Sequence, residues 1–185
     1  MRQAFQLWFI PAVVTTLLCI FINAAVQHDF RSSANDPQVQ LAEDGARSLA
    51  YGKSVAAFDR DAGAVDIARS LAPWVAVYDA AGHPLSSTGR LDAAAPSLPA
   101  GVFAYTRMHG EDRVTWQPRI GVRSAIVVTW AAGPRPRFVV AGRSLREVES
   151  RVDELNGVTL AAWCGSLVVV FLLAWLASRR SAVAA

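Results

Sequence analysis

Two long runs without a charged residue lie near the two ends of the chain. The first covers residues 7–26 and the second covers residues 157–177. At about 1.5 Å of rise per residue, twenty helical residues span the roughly 30 Å hydrocarbon core of a bilayer. The pattern therefore predicts two membrane-spanning helices, at residues 7–27 and 157–177, with the lipid bilayer as a partner.

Between these runs, the apolar positions first recur at helical spacing. A helix is predicted to begin at Asn35-Asp36-Pro37, because this is a capping residue type followed by proline in the first turn. Its apolar positions are Val39, Ala42, Ala46 and Leu49, and Gly52 ends the pattern. A second, shorter helix is predicted over residues 61–71, so the central part of the chain begins with helices.

The hydrophobic pattern then becomes typical of strands separated by turn residues. Strands are predicted at residues 74–78, 85–89, 102–108, 113–117, 124–130 and 137–141. Turns are predicted at residues 79–82, 109–112 and 133–136, and a linker rich in Ala and Pro at residues 92–99. This part of the chain is therefore expected to form an antiparallel sheet.

The last strand is followed by a helix-start signal. Ser144 and Glu147 have the spacing of a capping box, and apolar residues continue at helical spacing to Leu155. No helix breaker stands between Ser144 and Asn156, so one helix is predicted to run from the sheet into the second apolar run. Its apolar side could form a short coiled coil or pack on the first helix of the domain.

Charge predicts the topology. Outside residues 28–156 the charged side chains are Arg2, Arg179 and Arg180. The positive-inside rule then puts both termini in the cytoplasm and the central domain on the opposite side. The resulting division is 1–6 cytoplasmic, 7–27 transmembrane, 28–156 extracytoplasmic, 157–177 transmembrane and 178–185 cytoplasmic. A cleaved signal peptide is the alternative for the first run.

The basic isoelectric point does not indicate nucleic-acid binding. The central stretch contains all 15 acidic residues and an equal number of basic ones, so the excess charge belongs to the ends. Lys53 is the single lysine, and alanine is abundant, as in proteins of GC-rich bacteria. We therefore expect a bacterial inner-membrane protein.

Catalytic motifs are absent from the sequence, and no enzyme activity, metal or cofactor is expected. Cys19 and Cys164 both lie in the apolar runs. The group His109, Glu111 and Asp112 could suggest a metal site, but it is also an ordinary polar turn. Asp59 and Asp61 have the spacing of a calcium loop without its glycine and distal glutamate.

Aromatic and arginine side chains on the predicted strands, or at their ends, are the best ligand-binding candidates. They are Tyr105, Arg107, Trp116, Arg119, Arg123 and Trp130. Arginine binds carboxylates through two parallel hydrogen bonds, so the candidate ligand is a small carboxylate. The alternative is that the tryptophans are core residues and the arginines a solvated face.

Residues 75–89, with the pattern V-x-V-Y-D-x-x-G-x-x-x-x-S-x-G, resemble the first hairpin of the extracytoplasmic Cache/PAS-like sensor domains of bacteria. Residues 139–145 are similar to the place where the last strand of a sensor kinase passes into its exit helix. The resemblance implies an α+β fold: a PAS/Cache-like antiparallel sheet with flanking helices, between two transmembrane helices. It also implies that a small ligand lies between the sheet and the crossing segments.

A sensor kinase would continue into HAMP and kinase modules, whereas this sequence ends eight residues after Ala177. The resemblance therefore implies a sensor or ligand-binding protein that signals through a membrane partner. The alternative is an assembly accessory whose outer domain docks a protein and binds no ligand. Gly157, Ala161 and Gly165 recur at four-residue spacing, which would suit packing of the two spans or a homodimer.

Overall fold

The computed structural model describes residues 2–33, 36–60 and 63–183. The chain divides into two compact units. Met1–Arg31 and Glu149–Ala185 form the first unit, which we call the helix pair, and Ser32–Val148 form the second, the sheet domain. The helices are α1 (Arg2–Ser33), α2 (Asp36–Ala50), α3 (Ala56–Arg60), α4 (Ala100–His109) and α5 (Arg146–Val183). The strands are β1 (Val65–Asp66), β2 (Trp74–Tyr78), β3 (Pro84–Ser87), β4 (Gly89–Arg90), β5 (Glu111–Arg119), β6 (Val122–Ala131) and β7 (Arg137–Ser144).

The helix pair is built from α1 and α5, and both predicted apolar helices are present. Phe5–Phe30 and Arg146–Arg179 are long and apolar enough to cross a membrane. Only 6% of the residues in each apolar window are buried. A water-soluble core helix would hide this apolar surface, so the exposure favours contact with lipid. Pro11 lies inside α1 without ending it.

The sheet domain contains a five-stranded antiparallel sheet in the order β3-β2-β7-β6-β5. The last strand, β7, is central and pairs with both β2 and β6. A separate parallel pair joins β1 to β4, with Val65 opposite Gly89. The predicted α+β class with an antiparallel sheet and flanking helices is therefore confirmed.

Side chains alternate between the two faces of the sheet. One face, which we call the α2 face, packs Val127 and Ala141 against Ala42 of α2. The helix approaches closely because of Gly45, where an added Cβ would lie 2.8 Å from Val139 Cγ1. The opposite face, the aromatic face, holds the larger core cluster and is covered by α4 and residues 88–99. This core contains Ile67, Trp74, Ala76, Tyr78, Leu98, Phe103, Trp116, Val122, Ile126, Val128, Phe138 and Val140.

Three predicted elements are wrong. Residues 102–108, expected to be a strand, lie in α4. Phe103 and Thr106, three residues apart, are buried on the side of this helix that faces the sheet. His109 therefore ends a helix, with Gly110 at φ 86° as its cap, and the expected hairpin turn at residues 109–112 does not form. The helix predicted over residues 61–71 does not form in its described part, residues 63–71, which contains β1 and a turn; the short helix α3 lies before it. The first two residues of the predicted helix lie outside the described part of the chain.

The helix start after β7 differs in detail from the predicted capping box. Ser144 Oγ accepts a hydrogen bond from the Arg146 amide at 3.3 Å. The Glu147 carboxylate accepts one from the Arg143 guanidinium at 2.9 Å. As predicted, the helix then continues without a break into the second apolar run.

Candidate functional site

The aromatic face is filled by packed rings. The Phe103 ring lies 5.1 Å from that of Tyr78 and 4.9 Å from that of Phe138. The Phe138 ring is in turn 4.5 Å from that of Trp130. These separations are those of favourable aromatic pairs. The space between the sheet and α4 is therefore occupied by the side chains of the protein itself.

Trp116 is part of this core. Its side chain is 7% exposed and meets Trp74 edge to face, with the ring centres 6.1 Å apart. Trp74 lies flat against Gly142, where an added Cβ would be 2.3 Å from its Cζ2 atom. Trp74 thus fills the space beside Gly142, and Trp116 packs against Trp74.

Arg107 and Trp130 are brought together by the structure. The Arg107 guanidinium lies 5.6 Å from the Trp130 ring centre and 5.5 Å from that of Phe138. It also donates a hydrogen bond to the Ala80 carbonyl. Arg107 is thus held by cation–π contacts over the edge of the core. Tyr105 is on the same helix, but its ring stacks on His109 with the centres 3.9 Å apart.

The other two predicted arginines have separate surroundings. Arg119, at the end of β5, donates to both carboxylate oxygens of Asp92, at 3.0 and 2.8 Å. The Arg119 guanidinium is therefore already bound to a carboxylate of the same chain. Arg123 is exposed on β6, and its carbonyl accepts a hydrogen bond from the Leu145 amide. The six predicted ligand-binding residues thus do not surround one cavity.

Among the described residues of the sheet domain, the pKa values of two titratable groups are shifted. Burial raises the pKa of Tyr78, whose hydroxyl donates a 2.7 Å hydrogen bond to the Pro96 carbonyl. The His83 amide, which donates to the Asp79 carboxylate, lowers the pKa of Asp79. Both groups stabilise the hairpin region: Tyr78 holds the crossing segment, and Asp79 closes the turn between β2 and β3.

The residues that could suggest a metal site in the sequence make other contacts in the structure. His109 Nδ1 lies 3.0 Å from the Tyr105 carbonyl, and Glu111 forms a 2.6 Å ion pair with Arg113. Among the described residues there is no group of three His, Cys, Asp or Glu side chains that could hold a metal ion. Asp61 lies outside the described residues.

An open groove runs between the start of α4 and the edge strand β5. Its volume is about 510 Å³. Its lining is Ser97, Leu98, Pro99, Val102, Val114, Thr115, Trp116, Gln117 and Pro118. We call it the edge groove, because β5 pairs with β6 alone among the described strands and lies at the end of the sheet order. Tyr105 and Met108, which are 46% and 76% exposed, lie on the same helix as Val102. This side of the domain thus presents apolar side chains to solvent.

A second open cavity, of about 650 Å³, lies between the end of α2 and the β6–β7 turn. Its lining is Leu49, Ala50, Gly52, Lys53, Ser54, Val55, Ala131, Ala132, Gly133, Pro134, Arg135 and Arg137. Three of these described residues are cationic and none carries a carboxylate, so we call the cavity the cationic cleft. None of the six predicted ligand-binding residues lines it.

Polar side chains join the two apolar helices at three levels. Trp8 Nε1 donates to the Leu167 carbonyl at 3.3 Å. Trp163 Nε1 donates to Thr16 Oγ1 at 2.9 Å. At the third level, Asn156 Oδ1 accepts hydrogen bonds from Asn23 at 3.1 Å and from Gln27 at 2.8 Å. These bonds fix the antiparallel register of the helix pair.

The small residues of the second apolar helix lie away from this contact. Gly157, Ala161 and Gly165 are exposed, and a Cβ added at either glycine would meet nothing within 4 Å. The four-residue spacing therefore does not serve packing of α5 on α1. The homodimer expected as the alternative stays a prediction.

The sequence analysis did not predict the cationic cleft, although one of the two segments that line it has a recognisable local pattern. The segment Gly133-Pro134-Arg135-Pro136-Arg137 places two arginines in a rigid turn. The missing information was that Lys53, about eighty residues earlier, lies across from them. Comparison with protein-family models, with curated proteins and with solved structures finds no match for this chain.

Proposed function

We propose that this chain is a two-pass membrane protein whose sheet domain docks a partner protein. The observation that carries the proposal is the filled aromatic face. A Cache/PAS-like sensor would hold its ligand between the sheet and the crossing segments, but Phe103, Phe138 and Trp116 occupy that space. A domain with a packed core and exposed apolar side chains is better suited to binding a protein surface.

The edge groove is the docking surface in this proposal. Leu98, Pro99 and Val102 form one wall, and Val114 belongs to the edge strand opposite. A partner side chain that enters the groove would bury apolar surface on both sides, which is the main favourable term in most protein association. Tyr105 and Met108 extend the apolar surface next to it.

The fold and location belong to the same proposal. The central β7, the neighbouring β2–β3 hairpin and the helices on both faces support a Cache/PAS-like module. Two apolar helices and the arginines that flank them support a bacterial inner-membrane protein with both termini in the cytoplasm. The sheet domain, and with it the docking surface, would then be extracytoplasmic.

Site-specific photo-crosslinking in intact cells tests the proposal. A photoreactive residue at Thr115 lies in the edge groove, and one at Glu43 lies on an exposed position of α2 as the matched control. We expect one discrete adduct from Thr115 that disappears when Val102→Glu is added, and none from Glu43. Equal labelling from both positions, or no adduct from Thr115, would contradict docking at this groove.

The sensing of a small ligand is the second candidate function. It cannot use the filled aromatic face, but the cationic cleft gives it a different location. A ligand bound there would contact the β6–β7 turn and the end of α2, and β7 is the strand that leads into α5. A sensor built in this way would still need a partner for its output.

A further inference from the structure

Two arginines of the cationic cleft have no carboxylate partner among the described residues. In the described part of the chain, the side chains of Arg135 and Arg137 make no hydrogen bond or ion pair. Lys53 Nζ, the third cation, lies 5.3 Å from the Phe58 ring centre. The carbonyl end of α2 contributes a negative charge of about half a unit. The two guanidinium charges of Arg135 and Arg137 outweigh this half charge, so the cleft attracts anions.

Both segments that carry these cations have a fixed backbone. The amides of Gly52 and Lys53 donate to the carbonyls of Leu49 and Ser48, at 3.0 and 2.9 Å. With Gly52 at φ 87°, these two bonds form a Schellman cap, which holds Lys53 at the helix end.

The opposite segment is held by its prolines. Pro134 and Pro136 flank Arg135, and each fixes its own φ angle and restricts the residue before it. A ligand therefore does not have to pay for ordering the backbone of either segment on binding.

We propose that the cationic cleft binds a small organic anion with two or more carboxylate groups. A guanidinium binds a carboxylate through two parallel hydrogen bonds, and Arg135 and Arg137 provide two such groups. The apolar lining residues Leu49, Val55 and Ala131 suit the carbon frame of such a molecule. This inference does not rest on docking at the edge groove, because the two sites share no lining residue.

The size of the cleft favours a small molecule over an acidic protein segment. Its volume of about 650 Å³ lies within the roughly 300–1,000 Å³ of small-molecule pockets. An acidic peptide would present the same carboxylate chemistry, so the experiment must separate these two sources. Inorganic phosphate must also be compared, because arginine binds phosphate as well as carboxylate.

The test uses the full chain in detergent, with citrate as the probe and glutarate as a second carboxylate. We expect citrate to raise the thermal midpoint of the wild-type protein, and calorimetry to give an affinity that weakens with added salt. Arg135→Gln and Arg137→Gln should each weaken binding about tenfold or more, since a charge-assisted hydrogen bond is lost. Arg113→Gln, an exposed arginine on β5 that pairs with Glu111, should bind citrate like the wild type.

Four results would overturn the inference. The first is no shift with citrate or glutarate, and the second is a shift that persists in the Arg135→Gln/Arg137→Gln variant. The third is an equal shift with phosphate, which would mean an unspecific anion site. The fourth is binding of hexaglutamate without binding of citrate, which would assign the cleft to an acidic protein segment. Loss of citrate binding counts as support only if the unliganded variant melts cooperatively at the wild-type temperature.

Discussion

Trp163 Nε1 donates a 2.9 Å hydrogen bond to Thr16 Oγ1 and joins the two apolar helices of the chain. Thr16 in turn donates to the Ala12 carbonyl of its own helix at 2.8 Å. In an apolar environment such bonds have few competitors, yet their measured contribution is modest.

Trp163→Phe should therefore weaken the helix pair without dispersing it. We expect a coupling energy between Thr16→Val and Trp163→Phe of about 0.6 kcal/mol, the average for hydrogen bonds between membrane helices, and no more than about 1.7 kcal/mol. Unfolding of the four proteins of the double-mutant cycle in mixed micelles measures it. Trp175→Phe is the control, because that ring lies beneath Arg179 near the helix end. Strict additivity of the two substitutions would contradict the expected coupling.

Gly142→Ala should destabilise the sheet domain. The new Cβ would lie 2.3 Å from Trp74 Cζ2, so the indole or the strand must move, at a cost of about 1–3 kcal/mol. Chemical denaturation followed by tryptophan fluorescence measures the change in the free energy of unfolding. In Gly101→Ala the added methyl meets nothing within 4 Å, so this variant should be as stable as the wild type or slightly more stable. Equal stability of all three proteins would refute the packing of Trp74.

Asp79 should make the sheet domain less stable in acid. Its folded pKa is lowered by hydrogen bonds from the His83 and Ala81 amides. Its contribution is therefore present above the unfolded pKa of about 3.9 and is lost as the pH falls through the lower folded value. In a series of thermal midpoints from neutral to acid pH, the difference between wild type and Asp79→Asn should shrink below about pH 4. A parallel series with Glu43→Gln controls for the loss of one exposed negative charge.

Tyr78 should make the stability of the sheet domain depend on pH in the alkaline range. Burial raises its folded pKa, so the unfolded chain ionises first, and stability falls as the pH rises above the unfolded value of about 10. Tyr78→Phe removes this part of the alkaline loss. It also loses the bond to the Pro96 carbonyl, which costs about 0.5–1.5 kcal/mol at neutral pH. Tyr51→Phe, at a side chain that is 86% exposed, is the control and should leave the wild-type curve unchanged.

The elements that sequence reasoning predicted well are those with a strong local pattern. The two uncharged runs are long enough to form membrane-spanning helices. Residues 74–78 are rich in strand-forming residues, and turn residues follow them directly. Residues 102–108 misled the prediction because Val102, Phe103 and Tyr105 are good strand formers. Packing of Phe103 and Thr106 on the sheet outweighs that intrinsic preference.

The candidate site was harder to predict, because residue type does not determine the direction of a side chain. Trp116 was a reasonable ligand contact by type, but its register on β5 turns it towards Trp74. The cations of the cleft come from two turns far apart in the chain, and no local pattern links Lys53 with Arg135. Only the pairing of β6 with β7 and the packing of α2 on them bring the two turns together.

The hydrogen bonds of the helix pair limit how its two members can move. A shift of α1 along α5 by one turn, about 5.4 Å, would break the bonds at Trp8, Thr16 and Asn23 at the same time. Piston motion of one helix against the other is therefore disfavoured, because Trp8, Trp163 and Asn23 would each lose the acceptor on the opposite helix. Tilting or rotation of both helices as one rigid body keeps all of these bonds and therefore costs less free energy.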